Sequence, residues 1–120
     1  MKMKFDIVKI IAPSELGDFG ISTRQVNGQT VPTLSCEIIS CPILEVEVGT
    51  NGKQGGDSGY GGRTYFSIQD VAGTDITVTP IENDGNGGVI IEFGGDLELE
   101  NFISALKFAV AVLEGQLGRQ

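Results

Sequence analysis

The chain has 120 residues and 12.7 kDa, with 16 Asp and Glu against 8 Lys and Arg and no histidine, for a formal charge of -8 and a pI near 4.3. So acidic a chain lacks the basic surface that supplies most of the affinity for duplex nucleic acid. Without imidazole it has no Ser-His-Asp triad, no Cys-His pair and no histidine-ligated metal.

Its length suits a single domain, 1–120, and 40% hydrophobic content is enough for a modest core. No apolar run approaches the roughly 18 residues that cross a bilayer, and Met1-Lys-Met-Lys4 leads into alternating residues rather than an apolar signal core. A cytoplasmic protein with no membrane partner is expected. Cys36 and Cys41 are too far apart for a CxxC redox or zinc pair, so reduced, half-buried thiols are expected.

In chain order, Met3 to Ile11 reads as a strand that Pro13 ends. Gly20 to Val26 and Gln29 to Ile39 flank Asn27-Gly28, a hairpin signal because both central turn residues need positive φ. From Ile43 to Val48, Leu44, Val46 and Val48 alternate inward against Glu45 and Glu47 outward. Arg63 to Gln69 and Asp75 to Glu82 follow as strands, then the turn Asn83 to Gly88 and the strand Val89 to Phe93.

After Gly94-Gly95 the period changes. Asp96 reads as an N-cap, with Glu98 and Glu100 in the first turn, where carboxylates suit the helix dipole. Leu99, Phe102, Ile103, Leu106, Val110, Leu113 and Leu117 recur at helical spacing, and Gly115 or Gly118 ends the helix. Ala105, Phe108 and Val112 widen the apolar arc, leaving Glu100, Ser104, Lys107, Ala111 and Glu114 as the wet stripe. So wide an arc is expected to want a second partner besides one sheet face, most simply the same helix of another subunit; the plainer expectation is a core helix with some exposed apolar surface. The fold class is α+β: an antiparallel meander of about six or seven strands over 1–94, followed by one long C-terminal helix over 96–115.

Seven glycines fall between Gly49 and Gly62. The tract contains fragments of three signatures, and each fails. Gly56-Asp57-Ser58-Gly59 matches the nucleophile tetrapeptide of trypsin-like proteases, which need a histidine. Asp57-Ser58-Gly59 matches the aspartic-protease triplet, but Gly52 to Gly56 replaces the apolar strand that feeds it. The nucleotide-hydrolase loop G-x-x-x-x-G-K-[ST] needs a Lys and a helix where Gly61-Gly62-Arg63-Thr64 offers an Arg and a strand.

What remains is a nest of glycine N–H groups with Arg63, Thr64 and Lys53 aimed at one anion, and Tyr60, Tyr65 and Phe66 near enough to stack on a ring. The plainer reading is a long hairpin loop. Asn83 to Gly88 lacks the later bidentate carboxylate of a calcium loop and is a turn. The carboxylates Glu92, Asp96, Glu98 and Glu100 read as capping and solubility.

Leu44 to Gly52, Gly55 to Phe66, and Gly94 to Glu100 with its helix resemble the phage Thoeris anti-defence proteins. These are small β-rich oligomers that sequester cyclic ADP-ribose signals, and in some members cyclic oligonucleotides, without cleaving them. The resemblance implies a homo-oligomeric, non-enzymatic protein that binds a small phosphorylated nucleotide without a cofactor, in the cytoplasm of a phage-infected bacterium. It transfers no residue roles.

Those roles come from side-chain chemistry. Gly55, Gly56, Asp57, Ser58, Gly59, Tyr60, Gly61 and Gly62 form the loop, and its backbone and Arg63 hold phosphate beside Thr64 and Lys53. Tyr65 or Tyr60 stacks, and Asp57 or Asn51 bonds ribose hydroxyls or a base edge. Two phosphates need more donors than one loop provides, so the pocket is expected at a subunit boundary carrying Arg24 or Arg119. The competing expectations are an acidic inhibitor of a bacterial defence enzyme, acting through carboxylates between Asp70 and Glu100, and a structural phage component.

Overall fold

The computed structural model describes residues 16–39, 42–57, 60–82 and 87–118. The expected strand from Met3 to Ile11 lies outside them, as do Cys41, Ser58, Gly59, residues 83–86 of the expected turn, and Arg119.

Strands β1 (Leu16–Val26) and β2 (Gln29–Ile39) meet at Asn27 and Gly28, whose φ values of 48° and 81° are the left-handed pair a tight hairpin turn requires. Strand β3 (Ile43–Thr50) pairs antiparallel with β2, placing Leu34 opposite Val48, Cys36 opposite Val46 and Ile38 opposite Leu44. Strand β4 (Thr64–Ala72) pairs antiparallel with β3, and the sheet order is β1-β2-β3-β4.

The meander breaks after β4. Gly73 turns with φ 68°, the Thr74 N–H donates to Asp70 Oδ1 at 3.0 Å, and the Thr74 hydroxyl donates to the Ile43 carbonyl at 3.1 Å. This knot turns the chain off the edge of β4. Among the described residues, strands β5 (Ile76–Pro80) and β6 (Val89–Phe93) therefore pair only with each other. The fold is α+β as expected, with the meander divided into a four-stranded sheet and a two-stranded one.

Helix α1 (Asp96–Gln116) packs chiefly on β3. The core joins Cys36, Ile38, Leu44, Val46 and Val48 to Ala105, Phe108, Ala109 and Val112, and Phe19 of β1 tilts against Phe108 with ring centroids 6.1 Å apart. No helix among the described residues is long and apolar enough to cross a membrane.

Three expectations for the helix and strands need correction. Gly95, with φ 117°, holds the N-cap position without a side-chain cap, and Asp96 is already helical. Gly118 ends the helix as expected, at φ 78° with its N–H on the Gly115 carbonyl. The expected arc of α1 is only partly buried: Ala105, Phe108 and Val112 are buried and Glu100, Lys107 and Glu114 exposed as expected, but the rest is shifted. Leu99, Ile103, Leu106 and Val110 are exposed, whereas Ser104 and Ala111, assigned to the wet stripe, are buried. The buried face combines Phe108 and Val112 with the small residues Ala105, Ala109 and Gly115, which let the helix lie close to the sheet, while Leu99, Ile103, Leu106 and Val110 turn outward.

Two polar side chains join that buried face because each serves a sheet backbone group. Asn101 Nδ2 donates to the Pro42 carbonyl at 3.0 Å, and Gln116 engages Thr50 and Pro32 at the opposite end. Finally, Glu47 and Cys36 are buried rather than outward or half-buried. Burial pushes the Cys36 thiol up to about 12, with the Glu37 carboxylate adding to the shift.

Candidate functional site

The glycine tract connects β3 to β4, and its base is closed by Asn51. The Asn51 N–H donates to the Arg63 carbonyl at 3.2 Å, and Asn51 Oδ1 accepts the Arg63 N–H at 2.7 Å. Asn51 Nδ2 donates to Gln29 Oε1 at 2.7 Å, tying the loop to the start of β2. Thr50 Oγ1 accepts the Gly52 N–H at 3.0 Å and donates to the Arg63 carbonyl at 3.0 Å. At the tip, the Asp57 carbonyl accepts the N–H groups of Tyr60 and Gly61 at 3.0 and 2.7 Å.

The glycines serve the loop itself. A Cβ on Gly62 would fall on the Gly52 carbonyl oxygen, so the two arms touch backbone to backbone, and Gly52 itself sits at φ 86°. The N–H groups of Gly52, Tyr60 and Gly61 are spent internally rather than left as an open anion nest.

Between this loop and the last turns of α1 lies an open cleft of about 1030 Å³. The loop contributes Gly52, Lys53, Gly55, Gly56, Asp57, Tyr60 and Gly62, the strand ends add Thr50 and Thr64, and Leu113 and Leu117 of α1 complete the lining. A smaller recess of about 370 Å³ adjoins it, where Val26 and Asn27 of the first hairpin meet Asp57, Gly61, Gly62 and Arg63.

Of the residues expected to bind ligand, Lys53, Gly55, Gly56, Asp57, Tyr60, Gly62 and Thr64 are thus brought together at the cleft. Gly61 and Arg63 line the recess instead. Arg63 Nη1 donates to the Gly61 carbonyl at 2.7 Å, so its guanidinium braces the loop. Asn51 is likewise a brace, with both ends of its amide engaged within the protein. Ser58, Gly59 and Arg119 lie outside the described residues.

Arg24 and Tyr65 do not line the cleft. Successive strand residues face opposite sides, so Tyr65 lies across the sheet from Thr64. There Arg24 grips Glu47 through Nε and Nη2 at 2.7 and 2.6 Å, and its guanidinium carbon stands 5.3 Å from the Tyr65 ring centroid. Thr33 Oγ1 donates to the same carboxylate at 2.7 Å. The hydrogen bond from Arg24 holds the Glu47 carboxyl below its ordinary range despite the opposing effect of burial, and Glu47 raises Arg24 in turn.

Sequence reasoning missed Thr50, Leu113 and Leu117 as lining residues. The available signal was Gln116, a polar residue between two leucines on an apolar arc. Its Oε1 accepts the Thr50 N–H at 2.8 Å and its Nε2 donates to the Pro32 carbonyl at 2.9 Å, fixing the helix end beside the loop.

Chemically, the cleft offers one ammonium (Lys53), one carboxylate (Asp57), two hydroxyls, an aromatic ring 82% exposed (Tyr60) and an apolar floor. The carbonyl end of α1 borders it and disfavours a high density of negative charge. Among the described residues, no three Cys, Asp or Glu side chains are grouped to hold a metal ion. No protein-family model matches this chain, and no curated protein or solved structure matches it.

Proposed function

We propose that this protein binds, without transforming it, a small phosphorylated nucleotide in the cleft between the glycine loop and the C-terminal turns of α1. The observation that carries this reading is the convergence of Lys53, Tyr60 and Thr64 over the Leu113–Leu117 floor. Tyr60 stacks on the ring, Lys53 takes one phosphate, Thr64 Oγ1, whose proton goes to Thr50 Oγ1, accepts from a sugar hydroxyl, and the floor excludes water from beneath. Lys53 thereby replaces Arg63, which braces the loop, as the phosphate partner. The single ammonium answers one of the two phosphate charges of a cyclic ADP-ribose isomer or a cyclic dinucleotide, and the open mouth of the cleft leaves the other to solvent. The resemblance to the Thoeris anti-defence proteins supports the same ligand class and a role in sequestering it.

Native mass spectrometry of the protein purified from phage-infected bacteria tests this. A retained small molecule with a nucleotide mass, lost in Tyr60→Ala, is expected. A spectrum of bare protein, before and after adding cyclic ADP-ribose isomers, overturns it.

The second reading is an acidic protein-interaction surface. Asp70, Asp75, Glu82, Glu92, Asp96 and Glu100 are all exposed, in a stretch without Lys or Arg. Binding of that kind weakens steeply with salt and is indifferent to Lys53→Ala.

A further inference from the structure

Both long faces of α1 are apolar, and the sheet covers only one. On the other, Leu99, Ile103, Leu106 and Val110 are 55%, 37%, 43% and 54% exposed. They follow one another at intervals of four, three and four residues, the spacing of a seam between two helices. Together they form a patch on the order of 400 Å², within the range of the largest patch that monomers usually expose and one often tied to function.

We infer that a second copy of this chain covers the stripe, with its α1 running antiparallel to the first about a two-fold axis. The inference concerns the outer face of the helix and is independent of what the cleft binds. Charge selects the alignment. Glu100, Lys107 and Glu114 run along one flank of the stripe, and in an antiparallel pair that flank meets its own copy.

When Leu99 lies against the partner's Val110 and Ile103 against the partner's Leu106, Glu100 lies against the partner's Lys107. Symmetry repeats that ion pair on the other chain. Sliding one helix by a heptad would instead set Lys107 against the partner's Lys107 and Glu100 against the partner's Glu114, both repulsive. A parallel pair would place Lys107 beside the flank of Phe102 and Ala109, where no charge answers it.

The opposite flank carries no charge: Phe102 is half-buried, stacked on Phe93 with centroids 4.6 Å apart, and Ala109 is buried against the sheet. The selected alignment uses the first turns of α1 and leaves Leu113 and Leu117 to the cleft. With the flanks included, the pair buries on the order of 1,000 Å² in total, enough for a specific though modest interface.

Sedimentation equilibrium of the full chain without nucleotide tests this. A mass twice the 12.7 kDa of one chain is expected at tens of micromolar. Lys107→Glu, at an exposed position, should weaken the dimer by about tenfold or more, and adding Glu100→Lys to it should restore the dimer by exchanging the signs. Circular dichroism confirms that both variants stay folded. A monomer at tens of micromolar, or a dimer unaffected by Lys107→Glu, overturns the inference.

Discussion

The backbone N–H of Thr50 donates to Oε1 of Gln116 at 2.8 Å, and the same side chain donates from Nε2 to the Pro32 carbonyl at 2.9 Å. One amide thus bridges β2 and β3 just beyond their last paired residues, Thr33 and Gly49. It also anchors the helix turn that floors the cleft. Gln116→Leu fills similar space but leaves a buried donor and acceptor unpaired, at a cost of about 2 kcal/mol or more. Gln116→Glu sets a buried carboxylate against the Pro32 carbonyl at the helix C-terminus. Urea unfolding should place both variants below wild type at neutral pH, with the Glu variant alone recovering as acid protonates it.

Arg24 and Glu47 give the sheet a defined acid response. The folded state holds the Glu47 carboxyl below its unfolded value, so the stability it adds is fully present above the ordinary carboxylate range near pH 4.3. That stability is lost as pH falls through the lowered value. Glu47→Gln should therefore be less stable than wild type at pH 7 and lose less on acidification toward pH 3. Arg24→Ala strands a buried carboxylate, and its deficit should shrink as acid protonates Glu47. Parallel stability profiles of all three proteins between pH 7 and 3 would contradict this account.

Cys36 is protected by the same core that aligns β2 with the helix. Its thiol, raised to about 12 by burial, favours the neutral form in the folded state. Its contribution to stability is complete at neutral pH and falls as pH climbs above the unfolded value, about 8.5. In a Cys41→Ser background, a disulfide reagent at pH 8 should leave the native protein unmodified and react promptly in urea. Fast modification of the folded protein would contradict the burial.

Gly62 sets the shape of the loop. In Gly62→Ala the new methyl meets the Gly52 carbonyl, so the loop arms must separate and the Asn51–Arg63 backbone bond is put at risk. Strain of about 1–3 kcal/mol is expected, confined to the loop. Hydrogen exchange should then show faster Asn51, Gly61 and Arg63 amides, with β2 and β3 unchanged. Uniform acceleration across the sheet would place the strain elsewhere.

Much of the fold was legible because it is encoded locally. Asn27-Gly28 specifies its turn from two residues, and the alternation of Leu44, Val46 and Val48 specifies which side of β3 faces the core. The choice of helix face was not local, since both arcs of α1 are apolar with the same period. The buried arc mixes the small residues Ala105, Ala109 and Gly115 with Phe108 and Val112, and no difference in spacing sets it apart from the arc of Leu99, Ile103, Leu106 and Val110. The role of the glycines was hidden for a similar reason. Their number marks a loop, but the contact of Gly62 with Gly52 joins residues a decade apart in sequence. Arg24 looked available to an anion because Glu47, its partner, lies two strands away.

Calorimetric titration with cyclic ADP-ribose isomers and cyclic dinucleotides tests the central claim most directly, using wild type, Lys53→Ala and Tyr60→Ala in parallel. The account predicts saturable binding of at least one of these ligands, weakened about tenfold or more by each substitution, as expected for a lost charge-assisted contact or stacking ring. No heat from any ligand, or binding indifferent to both substitutions, would contradict it.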